Sequence, residues 1–533
     1  MKKIVGIMLA AFICGVAALL SYTVSVEETE EAAEVRIIAV GNPGEAVMAD
    51  VETAAQVFEH LMKETMGIKL NESVDLHVAA TLTDYEAVLA REFELTPEEA
   101  QKIAAVSGGW SGGWRHTTAI NGSAAVMKSR ADRVSTTAHE LFHQVQYELS
   151  EGSDTDQGSL FWLEEGSADY IGALTADKLG VRSLSKWERD TLAELRAAPS
   201  AVNPGELLHC DLARRQELMQ KKYHAYQISD QMVWYLLSRQ PSGEGLKRLT
   251  AYFRALAAGQ DGKLALQEVF GVSQEEFLRE FDLWYREAIN KPGQWLIESR
   301  EGVAREAAPE IDRQFTATKE LLRRLWGIEL KGEYHLILAA DADDLTARLT
   351  QECSIPPERA KSLAVGSLWV ENGSTVVINA DELKENRQII FSVAVMETRL
   401  LISQLTGAAE DELEWFNRGI AYLMGIRRLS ETGMGTMAQY RYTWETHLRG
   451  ENLPTLAQLM STEDYLATQG DAVTELTELA TLTLAERYGY ESLIEYLGAA
   501  RNLGSYREAF RQVYGFTPEA YSGQFRLMRG NWK

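Results

Sequence analysis

The chain contains one stretch of sequence twice, and this duplication constrains its fold more than any other feature. Gly67–Leu70 resembles Gly327–Leu330, and Leu76–Ala80 resembles Leu336–Ala340. The same spacing separates both pairs, which is far longer than the roughly 20–50 residues of a solenoid repeat. The pattern therefore indicates two copies of one domain in tandem.

The turn-forming residues Asn290–Gly293 mark the predicted boundary between the two copies. We expect a first domain at residues 36–290 and a second at residues 295–533. In each copy a helix, a strand, a helix and a second strand segment precede a mostly helical remainder. This order predicts an α+β fold of two tandem units, each a small mixed sheet followed by an α-rich part. The leading helices are predicted at Val51–Met66 and Ile311–Trp326, and the strands after them at Val74–Thr81 and Tyr334–Ala340.

The N-terminal residues are typical of an export signal. Lys2 and Lys3 precede the uncharged run Ile4–Leu20, and an acidic stretch follows. Residues 1–26 are predicted to be a signal peptide or an N-terminal membrane anchor, and residues 27–35 an acidic linker. In both cases the rest of the chain is expected outside the cytoplasm, either secreted or tethered to a membrane. A lipoprotein anchored through Cys14 is an alternative.

The charge balance argues against one class of partner. The 53 basic and 78 acidic residues give a formal net charge of −25. A chain this acidic is repelled by phosphate backbones, so no nucleic-acid partner is expected. Cys14, Cys210 and Cys353 are too few and too far apart in the sequence for a disulfide framework or a cysteine-rich zinc module.

One motif in the first copy carries metal chemistry. His139 and His143 flank Glu140 in a segment without Pro or Gly, and Ser135–Thr137 are predicted to cap its helix. Residues four apart share one face of a helix, so the two imidazoles can bind one Zn²⁺. Glu140 would then lie beside the metal, where it can deprotonate a water molecule. The alternative is a pair of histidines that cap or pack against the helix.

A second helix-like stretch downstream offers the remaining groups. A catalytic zinc ion needs a third protein ligand and one open position for water. Glu165 follows His143 after a segment long enough to reverse the chain and set the second helix against the first. Asp169 lies one turn further along the same face, where it can accept a hydrogen bond from a zinc-binding histidine and fix its tautomer. The alternative is a solvated helix face.

Together, His139–His143 and the sequence Trp-Leu-Glu-Glu-Gly-Ser-Ala at residues 162–168 resemble the gluzincin metallopeptidases. This group includes thermolysin-like and aminopeptidase N-like enzymes and the peptidase MA-like domains of bacterial surface proteins. The resemblance implies that His139, His143 and Glu165 bind zinc and that Glu140 is the general base. It is strong over residues 138–172 and weak elsewhere in the first copy.

The resemblance also implies where a substrate binds. The family lays its peptide along an edge strand before the zinc helix, and Ser107–Trp114 leading into Thr117–Met127 occupies that place. Glycines let another backbone approach closely, and an edge strand can pair with an extended peptide. An ordinary hairpin turn is the alternative reading of this segment. The family commonly stabilises the oxyanion with a Tyr or His, for which Tyr226 is the candidate and Tyr223 and His224 are the alternatives.

The second copy has lost the motif in the sequence alignment. Met396 and Leu400 stand at the histidine positions, Glu397 remains, and Arg418 stands at the position of Glu165. Methionine and leucine cannot replace imidazole at zinc, and an arginine repels a cation. We therefore expect one zinc ion per chain, in the first copy only. The second copy is predicted to be a packing partner for the first or, alternatively, a substrate-docking or inhibitory module.

The sequence thus predicts an exported zinc metallopeptidase that acts on a peptide or protein. Zn²⁺ would lower the pKa of a bound water molecule and polarise the scissile carbonyl, and Glu140 would pass the water proton to the leaving amine. One alternative is a catalytically inactive surface binding or scaffold protein that keeps the fold. Another is a zinc amidase that acts on cell-wall peptide.

Overall fold

Two small sheets and a large set of helices make up the computed structural model, which confirms the predicted α+β class. The structure describes residues 33–153, 160–198, 201–208, 214, 217–218, 220, 223–299, 307–353, 355–366, 369–407, 411–468 and 470–530. The predicted signal peptide at residues 1–26, most of the acidic linker, Cys14 and Cys210 lie outside the described residues. Each half of the chain contributes one sheet.

In the first half, the segment that contains all four strands comes first and an entirely helical segment follows. The first group is β1 (Val35–Val40), α1 (Glu45–Leu61), β2 (Val74–Ala79), α2 (Leu82–Glu92), α3 (Pro97–Ala104), β3 (Gly109–Gly112) and β4 (Thr117–Asn121). The second group is α4 (Arg130–Ser150), α5 (Phe161–Lys178), α6 (Leu184–Ala197), α7 (Ala225–Ser238), α8 (Gly245–Ala257), α9 (Gly262–Phe270) and α10 (Gln274–Asn290).

The second half repeats this order. Its first group is β5 (Gln294–Ser299), α11 (Ala308–Trp326), β6 (Glu333–Ala339), α12 (Ala342–Glu352), α13 (Pro357–Gly366), β7 (Trp369–Asn372) and β8 (Thr375–Asn379). Its second group is α14 (Asn386–Thr406), α15 (Glu414–Glu431), α16 (Met437–His447), α17 (Thr462–Thr468), α18 (Asp471–Tyr488), α19 (Glu491–Leu503), α20 (Tyr506–Tyr514) and α21 (Pro518–Gly530).

The two sheets share one topology. In the order β1-β2-β4-β3, the first three strands are parallel and β3 pairs antiparallel with β4. The order β5-β6-β8-β7 repeats this arrangement. Strands β1 and β5 are missing from the sequence-based assignment, because each is a short edge strand directly after the acidic stretch or the turn cluster. β1 therefore begins inside the predicted linker, at Val35.

Helix α4 begins earlier than the sequence predicts. Its cap is Ser129, whose hydroxyl accepts a hydrogen bond from the backbone N–H of Asp132 at 3.1 Å. Thr137, one of the predicted cap residues, lies inside the helix and donates to the carbonyl oxygen of Arg133 at 2.8 Å. The earlier start places His139 and His143 in the middle of a regular 21-residue helix, where their spacing is rigid.

Two glycines of α5 determine how closely the central helices of the first half pack. A Cβ atom at Gly172 would lie 2.5 Å from the backbone oxygen of Ser135 in α4. A Cβ atom at Gly166 would lie 2.4 Å from the backbone oxygen of Ser229 in α7. Both distances are far below van der Waals contact, so α4 and α7 approach α5 this closely because these two positions carry no side chain. Residues that face inward from the three helices are thereby brought to one place.

One helix among the described residues, α14, is long and apolar enough to cross a membrane. Its apolar window is 72% buried inside the protein, and Ile390, Val393 and Leu401 belong to the main apolar core of the second half. The composition of α14 is therefore that of a core helix. The predicted export depends on residues 1–26, so it stays a prediction.

Helix α6 of the first half docks on the β7–β8 hairpin of the second half. The Lys186 ammonium is buried and donates to Asp190 at 2.8 Å, to the Asn372 carbonyl at 3.2 Å and to the Thr375 hydroxyl at 3.2 Å. Asp190 also accepts hydrogen bonds from the backbone N–H and the hydroxyl of Ser374, at 2.8 and 2.6 Å. The two halves are thus joined by a polar contact in which a buried charge has several partners.

We expect Asp190→Ala to lower the free energy of unfolding in urea by about 2 kcal/mol, because Lys186 then keeps a buried charge without its carboxylate partner. The matched control is Asp282→Ala, which removes an exposed ion pair between Asp282 and Arg286 in α10 and should cost less than about 0.5 kcal/mol. Equal stability of the two variants would show that this contact does not hold the halves together.

Candidate metal centre

Three predicted ligands meet where α4 faces α5. The Nε2 atoms of His139 and His143 lie 3.1 Å apart. The Oε2 atom of Glu165 lies 3.7 Å from the first and 3.6 Å from the second. Within the described part of the chain, these residues form the one group of three or more His, Cys, Asp or Glu side chains arranged to hold a metal ion. The ligand set inferred from the family resemblance is therefore brought together.

The distances in this triangle fit a tetrahedral zinc ion. With bonds of about 2.0–2.1 Å, two ligands of a tetrahedral centre lie about 3.3–3.4 Å apart. The three measured separations, 3.1, 3.6 and 3.7 Å, lie on both sides of that value. Two imidazoles and one carboxylate are also the protein donors of a class of catalytic zinc sites, in which water takes the fourth position.

The outer nitrogen of His139 is held by a carboxylate. Its Nδ1 atom lies 2.8 Å from Oδ1 of Asp169, so Nδ1 carries the proton and donates it, and the Nε2 lone pair points toward the centre. Asp230 of α7 hydrogen-bonds to Asp169 from behind. Burial and the charge of Asp169 raise the pKa of Asp230 well above its usual range. Asp230 is therefore protonated and donates to Asp169. Asp169 stays ionised and accepts the hydrogen bond from Nδ1 of His139.

The outer nitrogen of His143 is held by Gln146. The Nδ1 atom of His143 lies 2.7 Å from Oε1 of Gln146. The Gln146 amide nitrogen donates to the carbonyl oxygen of Glu164 at 2.8 Å and to the hydroxyl of Ser167 at 3.0 Å. A carbonyl oxygen can only accept, so this contact fixes which end of the amide faces His143. When both rings are neutral, each histidine points its Nε2 lone pair to the same place, and a cation there removes the repulsion between the two lone pairs.

The electrostatic field at the centre favours a positive charge. Burial lowers the pKa of His139, but Asp169, Glu140 and Glu165 outweigh burial and raise that pKa to about 10. Burial and the neighbouring charge of His139 lower the pKa of His143. The surrounding carboxylates therefore favour positive charge at the centre, as is expected of a site that binds a cation.

The predicted general base, Glu140, lies between the metal centre and an edge strand. Its side chain is buried, and burial raises its pKa, against the lowering effect of His139 and His143. β3 lies at the end of its sheet, and a Cβ atom at Gly109 of β3 would lie 2.3 Å from Oε1 of Glu140. The Ser111 hydroxyl of β3 donates to the Glu140 carbonyl oxygen at 3.0 Å. The Gly-rich segment is thus both a hairpin and an edge strand beside Glu140.

The sequence predicts peptide hydrolysis and a zinc site, and we expect Gly109→Ala to reduce that hydrolysis by about a hundredfold while leaving zinc binding intact. The new methyl group would occupy the space of the Glu140 carboxyl and force it away from its position. The matched control is Gly112→Ala in the same strand, whose Cβ would meet the Phe93 ring at 2.8 Å, on the face away from the centre. Hydrolysis rates that fall equally in both variants would assign the loss to a general disturbance of β3.

We expect Gln146→Leu to weaken zinc binding by about 10–100-fold, because His143 loses the acceptor that fixes its tautomer and ring orientation. Competition with a fluorescent zinc chelator measures the affinity. Gln144→Leu is the control, since Gln144 is also buried in α4 but donates to Ser111 at 2.6 Å and to Thr117 at 3.1 Å instead. Unchanged zinc affinity in Gln146→Leu would show that Gln146 does not orient His143 for zinc binding.

Tyr226 lies near the centre in the first turn of α7. Burial and the charges of Glu165, Asp169 and Glu140 raise its pKa well above the usual range, so its hydroxyl remains a donor. Of the two alternatives, Tyr223 directs its hydroxyl to Glu217. His224 is the residue before the helix and has a positive φ of 50°. Tyr226 interacts electrostatically with three carboxylates of the centre, so we keep it, rather than Tyr223 or His224, as the candidate for oxyanion stabilisation.

The second half carries different residues at these positions from those that the sequence alignment assigns. α4 and α14 are both 21 residues long. Aligning their first residues places Val395 at His139, Met396 at Glu140 and Arg399 at His143. A Cβ atom at Gly425 in α15 would lie 2.6 Å from the Phe391 ring, and in this register Phe391 matches Ser135, the residue that a Cβ atom at Gly172 would meet. The alignment of Met396 and Leu400 with the two histidines is therefore wrong by one residue, because the connection before α14 is shorter than that before α4.

Glu397 is therefore not the counterpart of Glu140. In the corrected register it matches Leu141, a core residue of the first half. Glu397 is buried, its pKa is raised well above the usual range by burial, and the charges that act on it are those of Lys319 in α11 and of Glu329. On α15, Arg418 keeps the position of Glu165. The second half accordingly offers no imidazole at either ligand position.

Two buried residues of the centre were not found from the sequence. Gln146 follows His143 by three residues and so faces the same way on α4, which was a usable signal. Asp230 lies on α7, far from the motif in sequence, and only the packing of α7 against α5 reveals it. Comparison of the chain with models of known protein families and with curated proteins gave no match.

Proposed function

We propose that the first half is a zinc-dependent peptidase and that its centre is formed by His139, His143 and Glu165. The observation that carries the proposal is the convergence of two imidazole Nε2 atoms and one carboxylate oxygen, with both outer ring nitrogens already donating to Asp169 and Gln146. Such an arrangement fixes the tautomers of both histidines and leaves their Nε2 atoms available to bind a metal cation.

Zinc, when bound, supplies Lewis acidity that lowers the pKa of a water molecule and polarises a carbonyl group. The Glu140 carboxylate takes the proton from the attacking water and transfers it to the leaving amine. Burial raises the pKa of Glu140 toward the neutral range, in which one carboxyl group can both accept a proton from water and release it to the leaving amine. The Tyr226 hydroxyl donates a hydrogen bond to the oxyanion as negative charge develops there. None of these steps needs a nucleophilic Ser or Cys.

The substrate we propose is an extended peptide or protein segment along β3. This strand lies at the edge of its sheet, and its pairing with β4 leaves the other edge as the side from which a peptide can add. Gly109 keeps the strand free of a side chain beside Glu140, so a scissile bond can approach the carboxylate. We infer export of the protein from the basic and apolar residues at its N-terminus.

The direct test is cleavage of a mixed peptide library by the full chain from residue 27 onward, with products identified by mass spectrometry. We expect cleavage that stops on chelation and returns when zinc is added. Stoichiometric zinc without cleavage of any peptide would instead support the inactive binding or scaffold protein. Cleavage restricted to cell-wall peptides would support the zinc amidase.

A further inference from the structure

Two arginines occupy ligand positions in the second half. In the corrected register, Arg399 of α14 stands where His143 stands and Arg418 of α15 where Glu165 stands. Their side chains are 18% and 20% exposed, so both guanidinium groups are largely enclosed but reach solvent. The positions that hold predicted metal ligands in the first half thus hold hydrogen-bond donors in the second half.

The partners of these arginines leave donor capacity unused. Arg418 Nε donates to Glu414 at 2.6 Å, but its Nη1 contact with the Tyr422 hydroxyl is 3.5 Å long. Arg399 reaches Glu414 and Glu371 only at 3.4 Å each. Charge-assisted bonds of this kind are normally about 2.7–2.9 Å long. Three of these four hydrogen bonds are therefore long and can be exchanged for a better acceptor, while one face of the Arg418 guanidinium lies over the Tyr465 ring at 4.7 Å.

Glu371 is a poor partner for a further reason. Its Oε2 atom is buried and has no hydrogen-bond partner among the described residues. The carboxylate therefore shares one long contact with Arg399 and otherwise has an unsatisfied oxygen, which is costly in a buried setting. Glu371 thus occupies one side of the Arg399 guanidinium but makes only a long hydrogen bond to it.

An edge strand lies next to the arginine pair. Glu371 belongs to β7, which ends the order β5-β6-β8-β7 just as β3 ends the first sheet. Among the described residues, β7 pairs with no strand other than β8, and α6 contacts it at its last residue, Asn372. An extended peptide that adds to β7 would place its own carboxylate within reach of Arg399, because Glu371 of the same strand already reaches it.

We infer that the second half binds a carboxylate of an extended peptide, with Arg399 and Arg418 as the donors and β7 as the backbone partner. The planar guanidinium fork matches the two oxygens of a carboxylate. Glu371 and Glu414 neutralise the pair, so selectivity comes from directed hydrogen bonds more than from net charge. The inference rests on the second half alone and does not depend on the proposed hydrolysis.

The test uses zinc-free full chain carrying Glu140→Gln, which prevents cleavage of the probes. Isothermal titration compares three N-acetylated six-residue valine- and alanine-containing peptides: one with a free C-terminal carboxylate, its amide, and an amide with one internal Glu. We expect the two carboxylate peptides to bind at least tenfold more tightly than the neutral amide. The difference between them identifies a chain end or an acidic side chain as the source of the carboxylate.

Three variants assign binding to the second half. Arg418→Lys and Arg399→Lys keep the charge but lose the fork, and each should weaken carboxylate binding at least fivefold. Glu371→Gln removes the competing carboxylate and should tighten binding severalfold, which no general loss of structure can do. Arg387→Lys, at an exposed arginine of the same helix, is the control and should change nothing.

Equal affinity for the neutral and carboxylate peptides would overturn the inference. It would equally be overturned by affinities unchanged in Arg418→Lys and Arg399→Lys, or by binding of inorganic phosphate as tight as that of the peptides, since phosphate cannot use β7. Absence of hydrolysis by the zinc-loaded unmodified chain, together with intact peptide binding by the Glu140→Gln chain, would contradict the peptidase proposal alone.

Discussion

Replacing Glu140 by Gln is expected to reduce peptide hydrolysis by about a thousandfold while zinc binding is unchanged. Glutamine has the shape of glutamate but cannot accept the water proton. Glu140 is not in the group of ligand atoms that meet at the centre, so the metal affinity has no reason to fall. Steady-state rates on the best library peptide and metal analysis of the same sample measure the two quantities.

The control for this variant is Glu397→Gln. Sequence comparison assigns Glu397 to the position of Glu140, whereas the structure buries it near Lys319 and Glu329, away from the metal centre. Its raised pKa means that the group is already neutral, so the amide is a close replacement. Hydrolysis should be unaffected in Glu397→Gln. A peptidase that keeps its rate in Glu140→Gln would refute the general-base role.

Replacing His143 by Ala is expected to abolish the stabilisation that zinc gives the chain. At a free zinc concentration about a thousand times the Kd, binding to the folded state alone stabilises it by about 4 kcal/mol. The variant loses one of three ligands, and Gln146 loses the group that it orients. Thermal unfolding with and without zinc measures the shift, which should be large in the unmodified chain and close to zero in His143→Ala.

Arg399→Lys is the matched control, because Arg399 stands at the equivalent position in the second half. The zinc-dependent shift should be the same as in the unmodified chain. A shift that persists in His143→Ala would mean that the stabilising zinc binds elsewhere.

The local geometry of the motif was predictable because it is a property of one helix. Residues four apart share a helix face, so the cooperation of His139 and His143 follows from sequence alone. The approach of Glu165 needed a second helix and a reversal of the chain, for which the length of the connecting segment was sufficient evidence. The structure brings all three ligands together.

The remaining features depend on packing between elements distant in sequence. Asp230 reaches Asp169 because Gly166 lets α7 approach α5, and no local pattern encodes that approach. The register of α14 was misassigned because Glu397 offered an apparent match one residue away. Helix length and the contact of Gly425 with Phe391 correct it. The tandem gluzincin identity, the zinc ion and the peptidase activity stay predictions.

The most direct test of the central claim is the zinc content of purified protein that comprises residues 27–533. The sample is dialysed to remove excess metal. Plasma mass spectrometry should find one zinc ion per chain, and none in His143→Ala. Two ions would contradict the corrected register of the second half. No zinc, even after incubation with the metal, would contradict the metal centre and with it the proposed peptidase.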